Sequence, residues 1–226
     1  MSEVQLKNKN ILQTLDNLVE DFFSKPDYNN SKYGVNSKNW NTQSNPEYWC
    51  SEHYLKELLK KPLDHTGEPE EYAAQPISNM EKFDPDIWTP FRKKARIDFT
   101  LEIGATHAAL TNYYPPGGFV GWHTNWNASA HQMLFTWSKT GEGYFRYYDN
   151  QTKEIVTIDD VPGWQCRYYY FGRKEEPNYW CWHSAYTYCE RITLAYKFQN
   201  TSIYHSDNAL AESIRDDLIE ELEHEK

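Results

Sequence analysis

Two of the eight histidines, His123 and His183, have neighbours that suit the binding of a metal ion. His123 follows a Gly-Gly turn, and Asn125 comes two residues later, so both side chains share one face if this stretch is a strand. His183 stands sixty residues further on, in a second aromatic stretch. Because imidazole nitrogen is a common ligand of divalent transition metals, the pair predicts a metal site. The remaining histidines are interpreted as ordinary surface or core residues: His53, His65, His107, His131, His205 and His224.

The strand that begins at Arg191 indicates what lies beside these histidines. Arg191, Thr193 and Ala195 share one of its faces. The opposite face is apolar and consists of Ile192, Leu194, Tyr196 and Phe198. If the apolar face packs under helices, the other face gives the interior of a barrel a guanidinium, which is costly to bury unless a carboxylate binds it. We therefore predict an anionic small molecule inside the barrel, while pairing of Arg191 with one of the chain's own acids remains open.

The residues above lie in segment 96–200, whose pattern is that of many short strands. Apolar and polar residues alternate with period two from Ile97 to Ile103, which predicts a strand there. Turn sequences then recur along the segment, at 115–118, 141–143, 150–151 and 162–163. Such spacing is typical of sandwiches and barrels. The 9 Trp, 18 Tyr and 10 Phe of the chain favour strands and ligand cavities in the same way.

Two flanking segments are predicted to be largely helical, and we expect a single domain over 1–226. In the N-terminal extension, residues 1–95, apolar residues recur at spacings of three and four, which is one helical face. Asn45-Pro46 has the form of an N-cap followed by proline, so a second helix is predicted to begin there. Segment 206–226 is predicted to be an amphipathic helix that packs on the barrel or binds a partner. Its apolar residues are Leu210, Ile214, Leu218 and Leu222.

Composition argues against several classes of protein. The formal net charge of −10 repels phosphate backbones, so nucleic acid is not an expected partner. No stretch reaches the ~20 apolar residues of a membrane span, and residues 1–10 lack the apolar core of a signal peptide. The four cysteines form no CxxC pair, which argues against a zinc knuckle. We expect a cytoplasmic protein whose thiols are free.

The order of these motifs over residues 97–199 resembles that of the Fe(II)/2-oxoglutarate-dependent dioxygenases. That family has His-x-Asp or His-x-Glu, a second His after a gap similar to the one here, and then Arg-x-Ser or Arg-x-Thr. The stretch from Gly141 to Phe145 is similar to the family's Gly-rich hairpin, and Trp182-His183-Ser184 to its distal histidine. The resemblance implies a mainly β fold, a double-stranded β-helix of jelly-roll or cupin-like type, with the helices packed outside.

The resemblance also implies a role for each matching residue. His123 and His183 would ligate Fe(II), with Asn125 at the position of the third ligand. Together with Arg191 the two histidines would form the catalytic set. The residues implied to bind 2-oxoglutarate are Arg191, which would pair with its distal carboxylate, and Thr193, Tyr114 and Asn112, which would hydrogen-bond it.

Asn125 departs from the family pattern, which has a carboxylate at this position. An amide oxygen can coordinate Fe(II), but it is neutral, so the metal should bind less tightly. Three interpretations stay open. Asn125 ligates through its amide oxygen, or water takes the third position, or the site is degenerate and the protein is a non-catalytic cupin-like binding protein. Halide binding, as in family members with a small residue here, is not expected because Asn fills that space.

The activity implied is that of an oxygenase that uses O₂ and 2-oxoglutarate, with ascorbate as the reductant in assays. Its substrate would be a peptide side chain or a small metabolite; nucleic-acid demethylation is a further alternative, which the acidic charge disfavours. Some aromatic residues near the histidines would either line the mouth of the cavity or pack outside the barrel: Trp122, Trp126, Trp180 and Trp182. His131 and Arg146 could face the cavity, and Asp149 is interpreted as a turn residue.

Overall fold

The computed structural model describes residues 1–24, 46–61, 75–76, 90–125, 129–173, 175–198 and 208–224. The helices among them are α1 (Lys9–Phe23), α2 (Pro46–Trp49), α3 (Glu52–Leu58), a π-helical segment (Lys94–Asp98) that continues into α4 (Phe99–Glu102), and α5 (Asn208–Glu223). The strands are β1 (Ser2–Val4), β2 (Gln75–Pro76), β3 (His107–Tyr114), β4 (Phe119–His123), β5 (Ala130–Ser138), β6 (Gly143–Asp149), β7 (Glu154–Asp159), β8 (Gly163–Phe171), β9 (His183–Thr187) and β10 (Arg191–Phe198).

These strands form two antiparallel sheets that face each other. The larger sheet has the order β1-β8-β5-β10-β3-β2, and the smaller has the order β4-β9-β6-β7. From β3 to β10 the chain passes back and forth between the sheets, with β6 and β7 as a hairpin in the smaller one. This winding is that of a double-stranded β-helix, or jelly-roll, so the predicted fold class is confirmed.

The outer face of the larger sheet is covered by α1 and α5. The apolar face of β10 packs there with residues of both helices, including Leu15, Phe22, Leu218 and Leu222. Each such fully buried side chain contributes about 1.5–3 kcal/mol of hydrophobic free energy. The predicted packing of the C-terminal helix on the barrel is therefore confirmed for its second half, whereas the side chain of Leu210 lies outside the described residues. None of the described helices is long and apolar enough to cross a membrane.

The start of α1 is tied to the end of α5. The side chain of Asn8 caps α1, because its Oδ1 accepts hydrogen bonds from the backbone N–H groups of Asn10 and Ile11. The backbone N–H groups of Lys7 and Asn8 donate to the carbonyl of Leu222, at 2.7 and 3.0 Å. Carbonyls at a helix C-terminus have no partner within the helix, so these bonds satisfy one of them and fix the two helices together.

The helix predicted to begin at Asn45-Pro46 is present but is broken into α2 and α3. Ser51 interrupts it and caps α3, since its Oγ accepts a hydrogen bond from the N–H of Tyr54 at 3.0 Å. The pair of helices covers the outer face of the smaller sheet. Trp122 is fully buried there, and its Nε1 donates to the carbonyl of Ser51 at 2.9 Å.

The strand predicted over 97–103 is wrong, because this stretch is helical. Ala95, Phe99 and Ile103, four residues apart, are buried against the larger sheet, whereas Leu101 is 74% exposed. A spacing of four satisfies a period of two as well as a helical repeat, so the alternation in the sequence fitted both structures. The barrel begins only at β3, and the helical part of the chain extends past residue 95 to the end of α4.

Candidate active site

A cavity of about 360 Å³ lies between the two sheets. Its volume falls within the range of roughly 300–1,000 Å³ that is usual for ligand sites. The larger sheet lines it with the inner faces of β3, β5, β8 and β10, and the smaller sheet with β4, β6 and β9. Arg191, Thr193 and Ala195 face this cavity, while the apolar face of β10 lies under the helices, so the predicted parity of this strand is confirmed.

The register of the larger sheet arranges the cavity wall in four rows, numbered here from the Arg191 end. The first row contains Tyr114 and Arg191. The second row is polar throughout and contains Asn112, Thr193, Thr136 and Gln165. The third row is mostly apolar and contains Leu110, Ala195, Leu134 and Arg167. The fourth row contains Lys197 and Gln132.

His123 and His183 lie on the opposite wall, directly across from each other in the antiparallel pairing of β4 with β9. Their ring centroids are 4.1 Å apart. Nδ1 of His123 lies 2.8 Å from the carbonyl oxygen of Gly121, and Nδ1 of His183 lies 3.0 Å from that of Cys181. Because a carbonyl oxygen only accepts, the neutral form of each imidazole carries its proton on Nδ1 and its lone pair on Nε2. Hydrogen bonds from Nδ1 to a backbone carbonyl orient the imidazole rings of metal-binding histidines.

The environment of His183 keeps its imidazole neutral. The residue is 7% exposed, and its ring packs beside the rings of Phe171 and Phe145, with centroids 5.0 and 5.8 Å away. Burial, and after it the neighbouring His123, hold the pKa of His183 well below its usual value. A neutral imidazole is the form that binds a metal ion, so this histidine is ready to act as a ligand at neutral pH.

Asn125, two residues beyond β4, lines the same cavity as the histidine pair. Within the described residues, no group of three His, Cys, Asp or Glu side chains could hold a metal ion. The amide of Asn125 is therefore the candidate that the sequence offers for a third protein ligand. That assignment stays a prediction.

Arg191 has a partner within the chain, the alternative that the sequence had left open. Its Nε donates to Oδ2 of Asp160 at 2.9 Å, and the two side chains are 3% and 2% exposed. Its Nη1 donates to Oγ1 of Thr193 at 3.0 Å, and its guanidinium lies 5.4 Å from the ring centroid of Tyr114. Among the described residues no hydrogen bond reaches Nη2, so the guanidinium keeps donors for a ligand.

Asp160 is the centre of a network of hydrogen-bonded side chains that runs along the cavity wall. Its Oδ1 accepts a hydrogen bond from Nε2 of Gln165 at 3.0 Å, while its Oδ2 accepts from Arg191. Oε1 of Gln165 in turn accepts from Nη2 of Arg167, also at 3.0 Å. This hydrogen-bond network fixes the orientation of the Arg191 guanidinium through its Nε, because both carboxylate oxygens of Asp160 already accept hydrogen bonds.

The remaining predicted site residues also line the cavity. Nδ2 of Asn112 donates to the hydroxyl oxygen of Tyr114 at 3.4 Å, which places both beside Arg191 in the first two rows. The structure thus brings together in one cavity all seven residues that the sequence singled out: Asn112, Tyr114, His123, Asn125, His183, Arg191 and Thr193. Their chemical roles remain predictions.

The tryptophans near the histidines pack outside the barrel where the structure describes them. Trp122 and Trp182 belong to an apolar cluster with α3 on the outer face of the smaller sheet. Trp180 is 5% exposed and stacks on Trp182, with centroids 6.4 Å apart. Trp126 lies outside the described residues. Of the two alternatives, outer packing is therefore the one observed for the three described residues.

Three other residues weighed from the sequence also lie away from the cavity lining. His131 hydrogen-bonds through Nδ1 to the hydroxyl of Tyr168 on the outer side of the larger sheet. Arg146 donates to Oγ1 of Thr157 and to the carbonyl of Cys50, both at 3.1 Å. Oδ1 of Asp149 accepts from two backbone N–H groups of the next turn, so its interpretation as a turn residue is confirmed.

Sequence reasoning missed several polar residues of the cavity, among them Gln132, Asp160, Arg167 and Lys197. The sequence could have predicted Lys197, because the alternation that begins at Arg191 reaches this residue after three steps of two. Arg167 shares a face with Gln165 for the same reason. No sequence pattern indicated Asp160, because this residue lies just after the end of β7 and only the fold brings it to Arg191.

Comparisons with known proteins add fold-level similarities only. No family model and no curated protein matches this chain. Among solved structures, a prolyl-4-hydroxylase from Pseudomonas putida is 17% identical with a TM-score of 0.32, over 55% of this chain and 60% of that one. An oxalate oxidase is 10% identical with a TM-score of 0.29, over 52% and 61%. A cupin domain from Bordetella pertussis is 16% identical with a TM-score of 0.25, over 40% and 78%. The chain thus spans about 60% of the length of the first two, and similarities at these scores carry no weight for function.

Proposed function

We propose that this protein is a metal-dependent oxygenase of the Fe(II)/2-oxoglutarate type. The reaction would convert a substrate C–H bond, O₂ and 2-oxoglutarate into a C–OH group, succinate and CO₂. The observation that carries the proposal is one cavity that holds two histidines, both oriented by backbone carbonyls, and a buried arginine with donors left over. A peptide side chain or a small metabolite is the substrate class we expect.

The donor set of the cavity suits Fe(II). The lone pair of each imidazole lies on Nε2, and the amide oxygen of Asn125 would be the third donor. All three donors are neutral, whereas the usual set includes a carboxylate. We expect the metal to bind weakly alone and more tightly together with an anionic cosubstrate, whose carboxylate would replace the missing charge.

The opposite end of the cavity suits the distal carboxylate of 2-oxoglutarate. Arg191 offers Nη2 donors that no described residue accepts, and the second row adds the hydroxyls and amide of Thr193, Thr136 and Asn112. The distance between the two ends of the cavity follows from the smaller sheet. Thr187 pairs with Gly143, whose carbonyl accepts a hydrogen bond from the N–H of Asp160 at the Arg191 end. His183 is four residues from Thr187, so roughly 13 Å of strand separates it from that end. Side chains that project from both ends shorten this span to one that a five-carbon diacid can bridge.

The chain's own residues would then position the reactants. Bound Fe(II), with O₂ and 2-oxoglutarate, would supply the oxidising power for hydroxylation. The histidines, which line the cavity, would present their Nε2 atoms to the metal, and Arg191 would fix one end of the cosubstrate. The rings of Phe145 and Phe171 pack beside His183 in the cavity wall, where they would exclude water from the reacting bond.

A non-catalytic binding protein on the same fold is the second candidate. Two observations favour it: Asp160 already neutralises Arg191, and Asn125 adds no charge to a metal site. A protein of this kind would bind a small anion without turning it over.

Succinate release in the presence of Fe(II), ascorbate and 2-oxoglutarate, together with thermal unfolding, separates the two candidates. A ligand at about 100 times its dissociation constant adds about 2.7 kcal/mol, which raises the melting temperature of a chain of this size by roughly 5–10 °C. For an oxygenase, metal plus 2-oxoglutarate should raise the melting temperature by this amount, and succinate should be released at a slow rate. His183→Ala and Arg191→Gln should abolish both, while the exposed controls His53→Ala and Arg173→Gln should keep them. Stabilisation without succinate, even with a panel of candidate substrates, would favour the binding protein.

A further inference from the structure

The end of the cavity beside the histidines has a positive charge that the proposed chemistry does not use. Lys197 lines the cavity from the fourth row, where it is partly buried. Burial lowers the pKa of its ammonium group below the usual value. Among the described residues no carboxylate lies within ion-pair distance of Lys197. A cation that is partly withdrawn from water without a partner is destabilised unless a ligand supplies the opposite charge.

Gln132 lies directly opposite Lys197 in the pairing of β5 with β10. Its side chain is 4% exposed and lines the cavity, and its Nε2 has no hydrogen-bond partner among the described residues. A buried donor without a partner costs about 1–3 kcal/mol. Side chains opposite each other in an antiparallel pair are neighbours, so the two unmatched donors lie side by side.

These donors are at the same end of the cavity as the histidine pair. Tyr147 pairs with His183 in the smaller sheet, and its ring lies 5.9 Å from that of Tyr169. Tyr169 in turn pairs with Gln132 in the larger sheet. The fourth row therefore faces the level of the smaller sheet where the metal would bind.

The charges that line the cavity select for anions. Three cationic side chains, Arg167, Arg191 and Lys197, face it with the single carboxylate of Asp160 among the described residues. Counted over side chains alone, that is a surplus of two positive charges in a protein whose net charge is −10. Asp160 is held at the other end by Arg191, so its charge does not compensate Lys197. A cavity of one sign attracts and concentrates ions of the other sign.

A diacid with one carboxylate at Arg191 and the other at the metal has no further carboxylate for Lys197 and Gln132. Lys197 is six residues beyond Arg191 on β10, roughly 20 Å along the strand, and the apolar side chains of the third row lie between them. We infer that the primary substrate carries a carboxylate, which Lys197 and Gln132 bind beside the histidine pair. Two donors in neighbouring strands match the two oxygens of a carboxylate. This inference rests on the proposed function, because it takes the Arg191 end to be occupied by 2-oxoglutarate.

Binding of matched acids and amides to the protein loaded with Zn(II) and 2-oxoglutarate tests this inference without turnover. The probes are butyrate with butyramide, phenylacetate with phenylacetamide, and capped tripeptides Ala-Glu-Ala with Ala-Gln-Ala. Ligand-observed NMR gives their affinities. The acids should bind about tenfold more tightly than the amides, since a hydrogen bond to a charged group is worth at least that factor. The free acids and the peptides distinguish a metabolite from an acidic side chain as the source of the carboxylate.

Substitutions at the two donors give the controls. Lys197→Met should remove most of the preference for acids, Lys197→Arg should keep it, and Gln132→Leu should reduce it by about threefold. The exposed control Lys60→Met should leave it unchanged. Equal affinities for acids and amides, or a preference that survives both Lys197→Met and Gln132→Leu, would overturn the inference. So would tighter binding of a phosphate monoester such as phenyl phosphate.

The affinity for 2-oxoglutarate itself distinguishes the failure of this inference from failure of the proposed function. It should weaken in Arg191→Gln and change less than about twofold in Lys197→Met. If Lys197→Met weakens 2-oxoglutarate as much as Arg191→Gln does, Lys197 binds the cosubstrate and the inference is wrong. If 2-oxoglutarate does not bind at all, the proposed function fails, and with it the assignment of the carboxylate to a second ligand.

Discussion

Asp160 is the carboxylate that pairs with Arg191 inside the cavity, and Asp160→Asn removes its charge with almost no change of shape. The wild-type pair joins Nε and Oδ2 at 2.9 Å, with both side chains almost fully buried. In the variant the guanidinium keeps its bond to Thr193. One amide oxygen then replaces two carboxylate oxygens, so it cannot serve both Arg191 and Gln165 as Asp160 does.

The magnitude follows from this geometry. Removal of one partner from a buried ion pair costs about 3–5 kcal/mol, because the other charge stays buried without compensation. Since Thr193 continues to accept a hydrogen bond from Arg191, we expect the lower end, about 3 kcal/mol. For a chain of 226 residues this lowers the melting temperature by roughly 6–12 °C. The same change removes the competing carboxylate from the Nε of Arg191, so 2-oxoglutarate should bind about tenfold more tightly and restore much of the lost stability.

Thermal unfolding with and without 2-oxoglutarate, in the presence of Zn(II), measures both effects. The neighbouring Asp159→Asn is the matched control, because Asp159 is exposed and a surface change of this kind alters stability by less than about 0.5 kcal/mol. If Asp160→Asn is as stable as the control, the pair is not the buried contact described above. If 2-oxoglutarate stabilises the variant less than the wild type, Arg191 does not receive its carboxylate.

Three further predictions follow from other positions. Asn125→Asp should tighten Fe(II) binding by at least about tenfold, as followed by metal titration; an unchanged affinity would show that Asn125 is not a ligand. Gly143→Ala should destabilise the protein by about 1–3 kcal/mol in a denaturant titration, because the added Cβ would lie 2.6 Å from Oδ2 of Asp160; full stability would contradict this contact. Burial alone would raise the pKa of the Cys189 thiol, but hydrogen bonds from Ser138 and other hydroxyls lower it to about 7. The other three thiols are also buried, and their pKa values are raised. Slow alkylation of one thiol per chain should therefore increase through pH 7, and Cys189→Ser should abolish it.

The parity of one strand was enough to predict much of the site. Arg191 and Thr193 were assigned to the interior because the alternate residues of β10 are large and apolar and needed a cover of helices. The histidines followed from their surroundings and their order along the chain. Each of these signals is local, and local patterns of period two survive into the fold whenever one face of a strand is buried.

What the sequence could not predict depends on contacts between distant parts of the chain. Asp160 reaches Arg191 only because the end of β7 and the start of β10 lie at the same edge of the barrel, and no periodicity encodes that meeting. The helix around Phe99 was missed for a different reason. Its buried residues are four apart, so a strand and a helix explain the same pattern, and packing against β5 and β10 decides between them.

The carboxylate that the family resemblance places beside the metal is absent at Asn125, while another, Asp160, lies at the Arg191 end. This arrangement leaves the metal end more positive and the Arg191 end nearly neutral before any ligand binds. A dianionic cosubstrate should therefore gain more of its binding free energy at the metal than at Arg191. Removal of the metal should weaken 2-oxoglutarate binding more than the double substitution Arg191→Gln with Asp160→Asn, which deletes the ion pair as a unit and leaves no buried charge behind. Calorimetric titration gives both affinities, and the opposite order would show that Arg191, despite its partner, dominates cosubstrate binding.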